Sequence, residues 1–167
     1  RVFIFCFFVL MMNSKVSFCD IPIKTRYQKW IQRIPKEFKS DYLSVVVINE
    51  QQHYLFHLGE LHSTYNVSTG SKTRYKGDRT MKERFWRLGL KMDRNLKPIY
   101  GARLIYMERF NPKTNQFKQT NLAFHGTNEP ENLGKATSMG CVYHHDNDII
   151  KLYELLPTHS LVLTVKE

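Results

Sequence analysis

A mainly β fold, built as a sandwich or partly closed barrel with a helix near the C-terminus, is the class this sequence predicts. Three observations predict it. Val, Ile, Leu and aromatic residues gather in runs of five to seven, the composition of half-buried strands. Turn residues separate those runs at short intervals. Only one late segment carries a clean 3.6-residue apolar period. A chain of 167 residues is long enough for one domain with a real core and short for two. No repeat, low-complexity tract or linker divides it.

Residues 25–38 place Tyr27, Trp30, Ile31 and Ile34 at near-helical spacing, and Pro35 should end a short helix or arm within a segment 20–41. Residues 42–48 (YLSVVVI) predict a strand. Asn49-Glu50-Gln51 turns the chain into a second strand at 53–58, giving a hairpin. Gly59-Glu60 leads to a third strand at 61–67. Residues 70–84 are polar, basic and turn-rich, and read as a surface loop. Strands are expected at 85–90 and 102–108, with a hairpin-like loop at 111–115 and a short strand at 121–125 ending on His125. Asp146 is a suitable N-cap for a helix with Ile149, Leu152, Tyr153 and Leu156 on one face, stopped by Pro157. Residues 161–165 (LVLTV) close the chain as a strand. Trp30 and Trp86 are read as packing residues. His53 and His57 would lie roughly 13 Å apart on one strand face, too far to share a metal, and are read as exposed.

The N-terminus reads differently. Arg1 precedes an apolar run at 2–12 (VFIFCFFVLMM), then the polar stretch NSKVSFCD, which is the layout of a secretory signal over residues 1–19. The run is too short to span a bilayer core of about 30 Å, so no transmembrane anchor is expected. Ser17 and Cys19 fit the small positions of a cut before Asp20; a lipoprotein cut before Cys19 ranks second because Phe18 is bulky. The missing initiator Met points to an incomplete N-terminus. Cleavage after Cys19 would leave Cys141 as the only thiol of a secreted or periplasmic protein, inert if simply buried and reactive if its surroundings activate it. The net charge of +10 suits an anionic partner. No zinc-finger, helix-turn-helix or RNP-type motif is present, so nucleic acid is not the expected partner. A basic nucleic-acid or membrane-surface binder with an incidental Cys141 is the rival from another class.

The chemistry concentrates in residues 125–153, HGTNEPENLGKATSMGCVYHHDNDIIKLY. His125 ends a strand, and Gly126 leaves room beside its ring. Ser138-Met139-Gly140 delivers Cys141 shortly before a helix start. A thiol beside Gly lets a substrate carbonyl approach backbone N–H groups that stabilise an oxyanion. A His within reach takes the thiol proton, and the helix start favours thiolate. These are the parts of acyl transfer through a thioester. His144-His145-Asp146 near Cys141 and His125 have metal-ligand chemistry, but their spacing matches no standard zinc site, and no metal or cofactor is expected.

His125-Gly126-Thr127, Gly134, Ser138-x-Gly140-Cys141, Asp148 and Leu152-Tyr153 together resemble the signature of the YkuD-type L,D-transpeptidase domain. Upstream, Val67-Ser68-Thr69-Gly70 and Gly77-Asp78-Arg79-Thr80 are similar to two further family steps. The resemblance covers nearly all of a catalytic domain placed at 42–167. It implies an L,D-transpeptidase-like β-sandwich or partly closed barrel. It also implies acyl transfer on peptidoglycan tetrapeptide stems, with release of D-alanine and without cofactor, in the cell envelope. Cys141 would be the nucleophile and His125 the base. Gly140 and the Cys141 N–H would serve the oxyanion, and Ser138 would orient the His or the loop. Gly126, Thr127, Tyr143 and His144 would contact substrate, and anionic wall polymer is a further partner for the basic surface.

The sequence departs from the family pattern at four places. Tyr143 stands where an Arg is usual, His144 where Met or Leu is common, Met139 where His is frequent, and Thr80-Met81 where Thr-Pro is usual. An Arg at 143 could bind a carboxylate in a bidentate way that Tyr cannot copy. Four readings stay open: a divergent transpeptidase using Tyr143 or His144 instead, an enzyme for a different donor or acceptor, a hydrolase on the same Cys/His site, or a wall-binding protein with impaired chemistry.

Overall fold

The computed structural model describes residues 22–167; the signal-peptide expectation, with Cys6 and Cys19, falls outside them. One mixed eight-stranded sheet dominates. Its strands are β1 (Tyr42–Val47), β2 (Gln52–His57), β3 (Glu60–Asn66), β4 (Arg84–Met92), β5 (Leu104–Asn111), β6 (Gln116–His125), β7 (Val142–Tyr143) and β8 (Leu161–Val165). Their order across the sheet is β3-β2-β1-β8-β4-β5-β6-β7. β1 runs parallel to β8 and β6 parallel to β7; the other neighbours are antiparallel. The two edges approach each other where Ser68 bridges Tyr143 and Gly70 bridges Ser138, so the sheet curls into a partly closed barrel.

The curl explains the composition of its strands. Val46, Leu88, Ile105, Met107, Phe124, Val142 and Val162 line the inside and pack against Ile149 and Leu152 of helix α2 (Asp146–Leu155) and against Leu156, which follows it. Val45, Val47, Leu161, Leu163 and Val165 face the other way and meet Tyr27 and Trp30 of helix α1 (Ile23–Ile31). Strands buried on both faces read as unbroken apolar runs, which is why β1 and β8 were plain in the sequence. α1 is tied down by Arg26, 2.7 Å from Glu50, and by the Trp30 indole N–H donating to Glu167 at 2.9 Å.

Four local features differ from expectation. α1 ends at Ile31 because the chain tightens ahead of Pro35, with Arg33 and Ile34 N–H bonding to carbonyls three residues back. β6 begins at Gln116, well before residue 121, and pairs with β5 through Asn111↔Gln116. The N-cap of α2 is His145, whose Nδ1 accepts from Asn147 N–H, whereas Asp146 turns away. His53 is fully buried rather than exposed, because it faces the inside of the curl with Leu55.

Candidate active site

Strand register sets the site. β6 and β7 pair Phe124↔Val142 and His125↔Tyr143, and Phe124 and Val142 both point into the core. Alternation then puts Ala123, His125, Cys141 and Tyr143 on the opposite face, with Cys141 beside Ala123 and diagonal to His125. A cleft of about 270 Å³ opens there, lined by Tyr100, Leu104, Tyr106, Asn121, Ala123 and Cys141, and it holds no charged side chain.

His125 is 1% exposed, with its ring against Tyr143 at 4.5 Å and Tyr100 at 5.1 Å between centroids. Nδ1 lies 2.6 Å from the Gly126 carbonyl oxygen. A carbonyl only accepts, so the proton sits on Nδ1 and Nε2 keeps a lone pair. Burial pulls the imidazole pKa down to about 4, against smaller upward pulls from the Gly126 carbonyl and from Asp146. His125 is therefore a neutral base near pH 7.

Cys141 is half-buried, and its Sγ–H points to the Asn121 carbonyl at 3.8 Å. Burial pushes its pKa up, opposed by a backbone contact of Ala123. The expectation of a thiolate favoured by the helix start does not hold in this resting geometry. α2 begins five residues on, and desolvation wins.

Ser138 is buried and fixes the loop rather than the His. Its Oγ donates to the Cys141 carbonyl at 2.6 Å and accepts from Gly140 N–H at 3.1 Å. The Gly140 N–H is thus already engaged, while the Cys141 N–H has no acceptor among the described residues. Gly140 has φ +124°, and a Cβ there would press on Leu122 at 3.1 Å, so the approach to Cys141 demands glycine. The loop is held to the 67–71 step by Ser138 N–H to Thr69 O and Ser71 N–H to Ser138 O, and Gln51 binds Thr69 through backbone and side chain.

Gly126 and Thr127 belong to a clasp around Asp146. Its Oδ1 accepts from Ala102 N–H at 3.1 Å and Thr127 N–H at 3.2 Å, and a Cβ on Gly126 would fall 2.0 Å from that oxygen. The Thr127 hydroxyl accepts from Glu129 N–H. Nothing in the sequence signals this clasp, because a helix-start Asp is usually just a cap. Asp146→Ala leaves two N–H groups without their acceptor and is expected to cost about 2 kcal/mol in a denaturant titration.

His144, expected at the substrate, is a correction: it is fully buried, with Nε2 3.0 Å from His53 Nδ1. It follows Tyr143 on β7, so alternation turns it inward while Tyr143 stays beside His125. Among the described residues no group of three or more His, Cys, Asp or Glu is arranged to hold a metal. Reasoning from sequence also missed Tyr100, Tyr106 and Asn121. For Asn121 the signal was available, since it lies four residues before His125 on the same strand face.

Comparison with known proteins identifies the family and the fold. The L,D-transpeptidase catalytic domain model, YkuD, matches residues 41–164. The YkuD protein of Bacillus subtilis is 45% identical over 38 residues, 23% of either chain. An L,D-transpeptidase structure from Mycobacterium smegmatis superposes with TM-score 0.54 at 11% identity, covering 75% of this chain and 58% of that one. One from Xylanimonas cellulosilytica gives 0.57 at 16%, covering 86% and 70%. At such identities the structures establish the fold, and the chain spans little more than half of the mycobacterial relative. With the family model matching most of its length, the chain belongs to the YkuD L,D-transpeptidase catalytic domain family.

Proposed function

We propose that this protein is an L,D-transpeptidase of the cell envelope that acts on peptidoglycan stem peptides through a Cys141 thioester. The observation that carries the reading is the orientation of His125. Its Nδ1–H is spent on Gly126, so a free Nε2 lone pair remains on the sheet face that carries the thiol.

The sequence of steps follows from those groups. Rotation about the Cys141 Cα–Cβ bond brings the thiol from the Asn121 carbonyl to the imidazole. Sγ attacks the diaminopimelate carbonyl as its proton passes to His125 Nε2, and the oxyanion faces the free Cys141 N–H. The C–N bond to D-alanine breaks, and the imidazolium returns the proton to the leaving amine. An acceptor amine then attacks the thioester, giving its proton to Nε2. The C–S bond breaks, and the sulfur recovers that proton. A low base pKa suits this order: the proton moves only as the new bond forms, with no stable ion pair to desolvate. Gly140, Ser138 and Gly126 act by holding the loop and the imidazole in place.

Mass spectrometry of the protein mixed with tetrapeptide muropeptides tests the reading. The expected result is a mass gain equal to the stem minus alanine, lost when the thiol is first alkylated. No adduct from folded protein with a free thiol would overturn acyl transfer and leave a wall-binding member of the family.

A further inference from the structure

A second cleft, of about 360 Å³, lies behind the Cys141 loop, and its charge is unlike that of the first. It is lined by Arg79, Lys82, Arg84 and Arg109, with Asp78 as its only acidic residue, and Gly140 forms part of its wall. Trp86 pairs with Arg109 across β4 and β5, and Arg84 stands two residues from Trp86, so all three share the inner face of the sheet. That face is apolar through Leu88 and Met107 and turns cationic where the barrel opens.

These cations are not used by the fold. Arg26, Arg33, Arg74, Arg87 and Arg94 each lie within 3.9 Å of a carboxylate. Arg79, Lys82, Arg84 and Arg109 make no ion pair among the described residues, and Asp78 is occupied with the Thr80 N–H at 2.8 Å. Gathering unpaired like charges in one concavity raises its potential and favours an anionic ligand. The cleft is also fixed to the loop that carries the thiol. A Cβ on Gly70 would fall 1.7 Å from the Arg79 carbonyl and 3.1 Å from Gly140 Cα, so these three backbones are packed together.

The Gly140–Cys141 peptide is therefore a shared wall: Gly140 faces the cationic cleft and Cys141 the uncharged one. We propose that the cationic cleft seats the carboxylates of the acyl acceptor, an amine-bearing stem peptide, while the donor occupies the uncharged cleft. This rests on the acyl-transfer reading above. Two physical effects favour it. Guanidinium groups pair carboxylates in bidentate fashion, a role the chain does not supply at position 143. Positive potential also disfavours the ammonium form of the acceptor, leaving more of the free amine that attacks the thioester.

The test compares a tripeptide stem ending in diaminopimelate with its fully amidated counterpart. Binding is measured calorimetrically on Cys141→Ala protein, with and without Arg84→Gln/Arg109→Gln. Both arginines are exposed and unpaired, so the double variant should fold. The acid form is expected to bind about tenfold more tightly than the amide, an advantage that the double variant and high salt both remove. In protein with its thiol intact, the same double variant should raise the acceptor KM about tenfold and leave alanine release in the absence of acceptor unchanged. Equal binding of acid and amide, or an unchanged preference in the double variant, would overturn the assignment. Charge-selective binding without any acyl-enzyme would keep the cleft as a carboxylate site and sink the transfer reading instead.

Discussion

Replacing His125 with Ala is expected to slow acyl-enzyme formation at neutral pH about 10³-fold, within the range that a positioned general base supplies. The pH profile separates loss of the base from loss of the fold. In the parent protein, His125 is neutral at every pH well above its pKa of about 4, so the rate should stay nearly flat from about pH 5 upward. Without the imidazole, only thiol already ionised in solution equilibrium reacts. Burial raises the Cys141 pKa, so the thiolate fraction is small at pH 7 and grows about tenfold per pH unit. The variant rate should climb with that slope until the thiol titrates. A variant with parental rate at pH 7, or with a flat profile, would show that His125 is not the base.

Acid is expected to unfold this protein between about pH 6.5 and pH 4, and three buried histidines are the reason. Burial lowers the pKa of His53 to about 3 and of His125 to about 4; it lowers His144 well below its ordinary value, with His53 and His125 adding to the shift. Each folded-state pKa lies below the unfolded value near 6.5, so the unfolded chain takes up protons first. Stability is intact above that value and is lost as pH falls toward the folded pKa values. At pH 4, His53 and His125 would each cost about 3 kcal/mol. Two such penalties approach the whole stability of an ordinary domain, about 5–15 kcal/mol.

The His53–His144 pair adds a second cost at any pH. One N–H is shared across the 3.0 Å contact. His53 Nε2 and His144 Nδ1 make no well-formed hydrogen bond among the described residues, although the Val142 backbone contributes a weak contact to His144, so a second buried N–H is poorly satisfied whichever ring donates. His53→Leu/His144→Leu replaces both partners with apolar groups of similar size. It should stay folded about one pH unit lower in an acid titration followed by circular dichroism. A variant as acid-labile as the parent would move the cause elsewhere.

The elements that sequence reasoning found were those whose environment is uniform along the strand. β1 and β8 are apolar at nearly every position because both faces are covered. β7 was invisible, because two residues carry no period, and its existence depends on Ser68 and Phe124 as partners. The first half of β6 was hidden for another reason: β7 pairs only with Phe124 and His125, so residues 116–121 form a largely solvent-facing edge and resemble loop. The same division holds at the site. The order His125, Gly126, Ser138, Gly140, Cys141 was legible because it is local in the chain. The inward turn of His144 was not, since its partner His53 lies 91 residues away. Nor was the cationic cleft, because Arg84 and Arg109 meet only through the pairing of β4 with β5.

The position of β8 has a consequence for how the molecule is made. β8 leaves the ribosome after the other seven described strands and sits between β1 and β4, joining the sheet's two halves by parallel pairing on one side and antiparallel pairing on the other. Until residues 161–165 emerge, the β1–β3 meander and the β4–β6 meander have no hydrogen-bonded seam, and each leaves an edge open. Closing that seam joins residues 42–47 to residues 161–165, a slow non-local step. A nascent chain of this topology cannot complete its sheet before residues 161–165 are made, and its two open edges need protection meanwhile.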